Sequence, residues 1–176
     1  MKKYLIFFSF LLLSCGFLFG QEAPQKIGYV DSQVILTQYS AAIKAQGDLD
    51  ALTNLWSAQL DSMSNEYQQA LNNYQQQSNT MPKDQQVTAQ QNIVNMEQKI
   101  MTFRRKKFAQ PDGEIYAKQE EIFAPVKKKI YAAIESVAKE EGMKFVFDKS
   151  GDIVLLYADS AFDITFKVLD RLKRGN

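Results

Sequence analysis

The sequences KIGYVD, residues 26–31, and KFVFD, residues 144–148, decide the fold. Both segments are short, apolar and rich in residues that favour β-strands, and a lone strand is not stable in water. A third strand signal, IVLLY at residues 153–157, follows KFVFD closely, with Gly151 placed to make the turn of a hairpin. We therefore predict that the first strand closes against this hairpin. The more than 110 residues between the first strand and KFVFD must extend away from the sheet and return to it.

The outgoing half of this excursion has the apolar period of a long helix. The pattern ends at Met81 and Pro82, because proline lacks the amide hydrogen and disfavours helix at the residue before it. Near the end the period is ambiguous, since Leu71 continues an eleven-residue repeat whereas Ala70 in its place restores a heptad step. The apolar positions lie three or four residues apart and are Leu49, Leu52, Trp56, Leu60, Met63, Tyr67, Leu71 and Tyr74.

A second helix is predicted after this break and runs in the opposite direction. Its apolar positions, again three or four residues apart, are Ala89, Ile93, Met96, Ile100 and Phe103. Two such helices joined by a short turn make an antiparallel hairpin, which we place at residues 45–111. At about 1.5 Å per residue the outgoing helix would extend roughly 55 Å. Because its glutamine-rich surface is too polar to collapse onto a globule, we expect the hairpin to project as a coiled-coil arm.

The remaining segments, residues 21–44 and 112–176, are expected to form one small body at the base of the arm. The predicted fold class is therefore α+β, a long antiparallel helical hairpin projecting from a small β-sheet base. Pro111 and Gly113 interrupt the returning helix, and we predict that they act as a hinge.

Two further helices are expected in the body. The first follows the predicted hinge and ends at Gly142, which can adopt the left-handed conformation that terminates helices. The second covers residues 166–173, and its amino terminus is capped either by Thr165 or by Ser160 together with Asp163.

A sheet of three short strands exposes edges that a soluble protein must cover. Cyclic self-association joins such edges between copies and enlarges the core, while the arms leave from one end around a central space. We therefore predict a homo-oligomer, and these physical arguments do not set the number of subunits. The residues assigned to the shared sheet are Ile27, Tyr29, Val30, Phe145, Phe147, Ile153 and Leu155.

The amino terminus has the pattern of a secretion signal. Two lysines precede an apolar run from Tyr4 to Phe19, and we assign residues 1–20 as a signal peptide. An alternative is a lipoprotein signal that ends in LLSC and leaves a lipid anchor on Cys15. Residues 16–20 are apolar where a polar tether would follow a lipidated cysteine, which favours plain secretion. In both cases the protein is expected to cross the inner membrane.

The composition of the secreted chain excludes many functions. Removal of the signal leaves 156 residues with 19 basic and 20 acidic side chains, no histidine and no cysteine. A near-neutral chain is a poor duplex DNA binder, and we expect no nucleic-acid partner. Without thiol or imidazole there is no Cys or His nucleophile and no zinc site with nitrogen or sulfur ligands. We also find no carboxylate pair spaced for catalysis and no phosphate-binding loop, so we predict no enzyme activity, no cofactor and no metal.

Three segments carry a family resemblance: IGYVDSQVILTQYSAA at residues 27–42, PVKKKIYAAIESVAKEEGMKFVFD at residues 125–148, and DITFKVLDRL at residues 163–172. Together with the glutamine-rich hairpin they resemble the Skp/OmpH family of periplasmic chaperones for outer membrane proteins, over residues 26–173. The resemblance implies a homotrimer whose strands build a barrel-like body and whose arms enclose a cavity for unfolded β-barrel proteins, without nucleotide. It also implies a periplasmic location and proximity to a membrane surface.

The arm has an uneven charge distribution. Residues 45–82 contain four acids and no base, whereas residues 83–110 contain six bases and two acids. A basic cluster between two aromatic residues is the candidate client-binding site, formed by Phe103, Arg104, Arg105, Lys106, Lys107 and Phe108. It would line the cavity and hold negatively charged client segments weakly. The alternative is that the two helices of the arm simply pair opposite charges, which contributes little stability on an exposed surface.

The predicted function is that of an ATP-independent holdase, which binds unfolded outer membrane proteins between its arms and prevents their aggregation. The alternative is a structural or adaptor protein of the cell envelope, whose coiled-coil surfaces bind one specific folded partner.

Overall fold

The computed structural model describes residues 25–151 and 155–175 of the chain. Strand β1 (Lys26–Val30) pairs in parallel with strand β2 (Met143–Asp148). Ile27 lies opposite Phe145, and Tyr29 lies opposite Phe147. The prediction that the first strand closes against the KFVFD segment is confirmed. A parallel pair needs a long crossover connection, and the arm lies within that connection.

The second half of the predicted hairpin is not seen as a strand. Residues 152–154, which include Ile153, lie outside the described residues, and Leu155 to Tyr157 have no regular secondary structure. The segment before α5 lies along the second edge of β1 instead. The Ile164 amide donates a hydrogen bond to the Tyr29 carbonyl at 3.0 Å, and Asp163 forms a bridge with Tyr29. In the described residues, the edge of β2 that faces away from β1 has no strand partner.

Five α-helices are present in the described residues. They are α1 (Ser32–Gln38), α2 (Ser40–Gln77), α3 (Lys83–Phe108), α4 (Glu114–Glu140) and α5 (Thr165–Arg174). A short 3-10 turn, Ser160–Phe162, precedes α5. Asp31 begins α1 by accepting a hydrogen bond from the Val34 amide at 3.0 Å.

Helices α2 and α3 pack together as the predicted hairpin, joined by a turn that ends at Pro82. Every apolar position predicted for the two helix faces is buried or half-buried, and Leu49 and Trp56 are the most buried of them. Ala70 and Leu71 are both half-buried, so burial at the end of α2 fits the eleven-residue repeat and the heptad repeat equally. At about 1.5 Å per residue, the 38 residues of α2 extend roughly 57 Å.

The predicted ends of the body helices are mostly confirmed. Gly142 follows α4 with φ 67°, the left-handed conformation expected of a terminating glycine. The prediction of Thr165 as an N-cap is wrong, because Ile164 occupies that position and Thr165 is the first residue of α5. The buried Thr165 hydroxyl instead accepts a hydrogen bond from the Asp31 amide at 2.9 Å, and Asp163 accepts one from the Thr165 amide at 2.9 Å. Thr165 thus ties α5 to the end of β1.

The hydrophobic core lies at the base and joins the two ends of the described chain. Ile35 of α1 and Val168 of α5 are fully buried and belong to one cluster with Val30 and the inner face of α4. The α4 members are Val126, Ile130, Ala133 and Val137. Because α1, α4 and α5 share this core, the core is complete only when β1 lies against the carboxy-terminal segments.

Two ion pairs add to the contact between α4 and α5. Arg171 lies 2.5 Å from Glu140, and Lys167 lies 2.5 Å from Glu141. Arg171 also donates a hydrogen bond to the Ser136 hydroxyl. These pairs lie at the rim of the core, where they fix the direction in which α5 crosses α4.

We expect acid to weaken the docking of α5 on α4. The hydrogen bond from Arg171 lowers the pKa of Glu140, and the hydrogen bond from Lys167 lowers the pKa of Glu141, both from an ordinary value of 4.5. A carboxyl group with a lowered pKa in the folded state contributes stability above its unfolded pKa and loses it as the pH falls through the folded pKa. The urea concentration at the midpoint of unfolding should therefore decrease as the pH is lowered below about 4.5.

The matched variant carries Glu140→Gln and Glu141→Gln. Its urea midpoint should fall less than that of the parent protein between about pH 6 and about pH 3.5, since the other carboxylates titrate in both proteins. An equal fall in the two proteins would contradict this prediction.

Candidate functional site

A buried tryptophan fills the place where α2, α3 and α4 meet. Trp56 of α2 is 7% exposed, and the Phe108 ring at the end of α3 meets it edge to face, with ring centres 6.1 Å apart and planes at 80°. The Lys107 Nζ lies 4.3 Å from the centre of the Trp56 ring, within the range of a cation–π interaction. The charged end of Lys107 is thus held over an aromatic face at the root of the arm.

The first residue of α4 completes this cluster. Glu114 accepts a hydrogen bond from Lys107 and lies 3.4 Å from the Lys106 Nζ. The hydrogen bond from Lys107 is the main reason that the pKa of Glu114 lies below its ordinary value. We call Trp56, Lys107, Phe108 and Glu114 the root cluster. It ties the end of α3 both to α2 and to the start of α4.

The loop inside the root cluster is tightly packed around Gly113. A Cβ atom at Gly113 would lie 2.8 Å from both the backbone nitrogen and the carbonyl oxygen of Ala109. The Gly113 amide donates a hydrogen bond to that carbonyl at 2.6 Å. Pro111, the other residue of the predicted hinge, is exposed. Movement at Pro111 and Gly113 stays a prediction, and glycine is required here for the close approach of two backbone segments.

The predicted basic and aromatic residues do not form one continuous surface. Lys107 and Phe108 turn inward onto Trp56, as described above. Arg104, Arg105 and Lys106 are exposed. Phe103 is half-buried and lines a shallow recess between the two arm helices with Met63 and Lys106. The structure thus divides the cluster into a structural part and a solvent-facing part.

The alternative interpretation, charge pairing between the two arm helices, is not seen in the part of the chain that the structure describes. No ion pair there joins α2 to α3. Lys44 pairs with Asp48 inside α2, and Lys106 and Lys107 pair with Glu114 of α4. In the described residues, the bases of α3 are therefore not neutralised by the acids of α2.

The residues predicted for a shared sheet divide between the core and the surface. Tyr29 and Val30 are buried within the chain. Phe145 is 55% exposed, and Ile27, Phe147 and Leu155 also present apolar surface to solvent. The neighbouring Leu156 and Tyr157 are more exposed still. The base thus exposes apolar side chains on both strands and at residues 155–157.

A groove beside β2 was missed by the sequence reasoning. It has a volume of about 690 Å³ and is lined by residues of β2, α1 and one side of α4. We call it the base groove. Its signal in the sequence is the seven-residue spacing of Tyr116 and Phe123, which places two aromatic side chains on one side of α4 and leads to Ile130 of the core. The apolar lining residues are Val30, Leu36, Tyr116, Phe123, Ile130, Tyr131, Ile134, Val146 and Phe147.

In residues 25–151 and 155–175, no group of three His, Cys, Asp or Glu side chains could hold a metal ion. None of their helices is both long enough and apolar enough to span a bilayer.

The fold and these surfaces define a class of protein in which a helical-hairpin arm is attached to a small α+β base with an apolar edge. The chain belongs to the OmpH-like outer membrane protein family, whose sequence model matches residues 26–172. This confirms the resemblance drawn from the sequence.

The fold is similar to that of a solved structure from Caulobacter crescentus CB15, a protein provisionally assigned as an OmpH-like outer membrane chaperone. The TM-score is 0.71 and the sequence identity is 14%. The similarity covers 88% of this chain and 87% of the other. Among curated proteins, no sequence matches the chain.

We expect Gly113→Ala to destabilise the protein by about 1–3 kcal/mol, because the new methyl group would overlap backbone atoms that cannot move independently. The matched control is Gly47→Ala in α2, where a Cβ would meet nothing within 4 Å. That substitution should stabilise the protein by about 0.5–1 kcal/mol, since alanine favours helix over glycine. Urea unfolding of both variants measures the two effects. A neutral Gly113→Ala would contradict the packed loop.

Proposed function

We propose that the protein is an ATP-independent periplasmic chaperone that holds unfolded outer membrane proteins and prevents their aggregation. The observation that carries the proposal is the arm. Its two helices bury only one narrow apolar face, and the polar remainder projects from a base whose own apolar edge is uncovered. Membership of the OmpH-like family and the fold of the Caulobacter protein support the same function.

Self-association is part of the proposal. A two-stranded sheet is marginal alone, and the free edge of β2 together with the base groove leaves apolar surface that a second copy would cover. Three copies, as the family resemblance implies, would set three arms around one cavity. The barrel-like body would then be built from β1, β2 and the segment containing Ile153 and Leu155.

The proposed mechanism is separation of clients from one another. An unfolded β-barrel protein exposes apolar segments that pair between molecules and aggregate. A segment enclosed between arms cannot reach another client, and many weak contacts sum to a useful affinity while each stays short-lived. No nucleotide is needed for such binding. The root cluster would set the angle at which each arm leaves the base.

The location follows from the predicted signal. Residues 1–20, including Cys15, lie outside the described residues, so the cleavage site and the alternative lipid anchor remain predictions. Secretion to the periplasm would bring the chaperone to outer membrane proteins after they cross the inner membrane.

The decisive experiment has two measurements on the purified secreted chain. Its mass in solution should be three times that of one chain, and it should keep a urea-unfolded outer membrane β-barrel soluble after dilution. Phe147→Asp should lose both properties, because the charge would be placed at the apolar edge. Phe166→Asp, at an exposed site on α5, is the control and should keep both. A monomeric parent protein that fails to prevent aggregation would refute the proposal.

A further prediction concerns the exposed bases of the arm. Charge reversal by Arg104→Glu and Arg105→Glu should weaken client retention about threefold at low salt and much less at high salt, because salt screens exposed charges. Lys106 and Lys107 stay unchanged, since both contact Glu114. Lys128→Glu with Lys129→Glu, on exposed positions of α4, is the control for net charge. Equal retention at both salt concentrations would show that these arginines do not hold client.

A further inference from the structure

Helix α3 carries a second line of apolar residues, which faces solvent. Val87, Val94 and Met101 are 66%, 43% and 56% exposed. They lie seven residues apart, so they share one side of the helix at intervals of about 10.5 Å. The face that packs against α2 is formed by other residues, beginning with Ala89 and Ile93. We call Val87, Val94 and Met101 the outer row.

The outer row is continuous with the root cluster. The next position in the seven-residue series is Phe108, which packs against Trp56. Beside the row runs a polar series with the same spacing, formed by Gln91, Gln98 and Arg105, all exposed. The face is therefore a narrow apolar line with polar side chains next to it, and it leads from near the tip of the arm to its root.

The width of the outer row argues against a folded partner. Two helices that pack as a coiled coil need two apolar positions in each heptad, and this row has one. Three side chains also offer far less than the roughly 800 Å² per partner that a stable protein interface buries. A second arm, or a folded protein, would gain too little from this surface to stay bound.

The charge of α3 indicates which flexible partner fits. The helix carries six bases and two acids. Arg104 and Arg105 lie one turn from Met101 and give the root end of the row its excess of bases, whereas Glu97 lies one turn from Val94. We propose that the outer row binds extended, unfolded polypeptide segments in which apolar side chains alternate with acidic ones. The inference rests on the proposed holdase function and assigns its client contact to this face. Because the apolar positions repeat at equal intervals, a bound segment can shift by one step and make the same contacts again.

The test uses the purified secreted chain and a fluorescein-labelled 16-residue peptide that alternates valine or tyrosine with serine or aspartate. The triple variant Val87→Gln, Val94→Gln, Met101→Gln should bind this peptide about tenfold more weakly than the parent protein. Glutamine favours helix at least as well as valine, and the three positions are exposed, so the fold should be kept. Thermal unfolding and mass in solution check this.

The control variant is Ile43→Gln with Leu55→Gln, two similarly exposed apolar residues of α2. Its affinity for the peptide should stay within about twofold of the parent, and a peptide with lysine in place of aspartate should bind the parent more weakly. Equal loss in the two variants, no loss in the triple variant, or no binding by the parent would each overturn the inference. The proposed function is judged separately, by whether the parent keeps an unfolded β-barrel protein soluble.

Discussion

The parallel pairing of β1 with β2 is the constraint on which the rest of the structure depends. It joins residues separated by more than 110 positions, and the core of α1, α4 and α5 assembles around it. With both ends of the connection held at the base, the chain between them can only fold back on itself. The arm is therefore a consequence of how the base closes, and it needs no core of its own beyond one narrow face.

Where the arm meets the base, a few side chains replace a large core. Trp56 is buried by Phe108 and by Lys107, whose charge is balanced by Glu114. This arrangement joins three helices through two aromatic rings and the ion pairs of one glutamate. The residues that first looked like a single binding surface are thus divided by function. Those nearest the loop hold the arm, and those exposed to solvent are available to a partner.

Features that depend on local pattern could be predicted from the sequence, and features that depend on competition between segments could not. The helix periods, the break at Pro82 and the terminating Gly142 follow from residues close in the chain. Leu155 to Tyr157 have every local property of a strand and yet form none, whereas Asp163 and Ile164, which have no strand pattern, lie along the second edge of β1. The Thr165 hydroxyl likewise accepts a hydrogen bond from the Asp31 amide, and these two residues come together only when the base is folded. The inward turn of Lys107 depends on Trp56, fifty-one positions earlier.

The closure of the base also has a consequence for the order in which the protein can mature. If the chain is exported amino terminus first, β1 emerges long before β2. The apolar side chains of β1 then stay exposed until β2 has also been exported. The hairpin in between relies on local contacts and can form quickly, whereas the distant strand pairing is slow by comparison. A newly exported copy would therefore pass through a stage in which the arm is folded and the base is not. During that interval the protein itself resembles the aggregation-prone chains that it is proposed to protect.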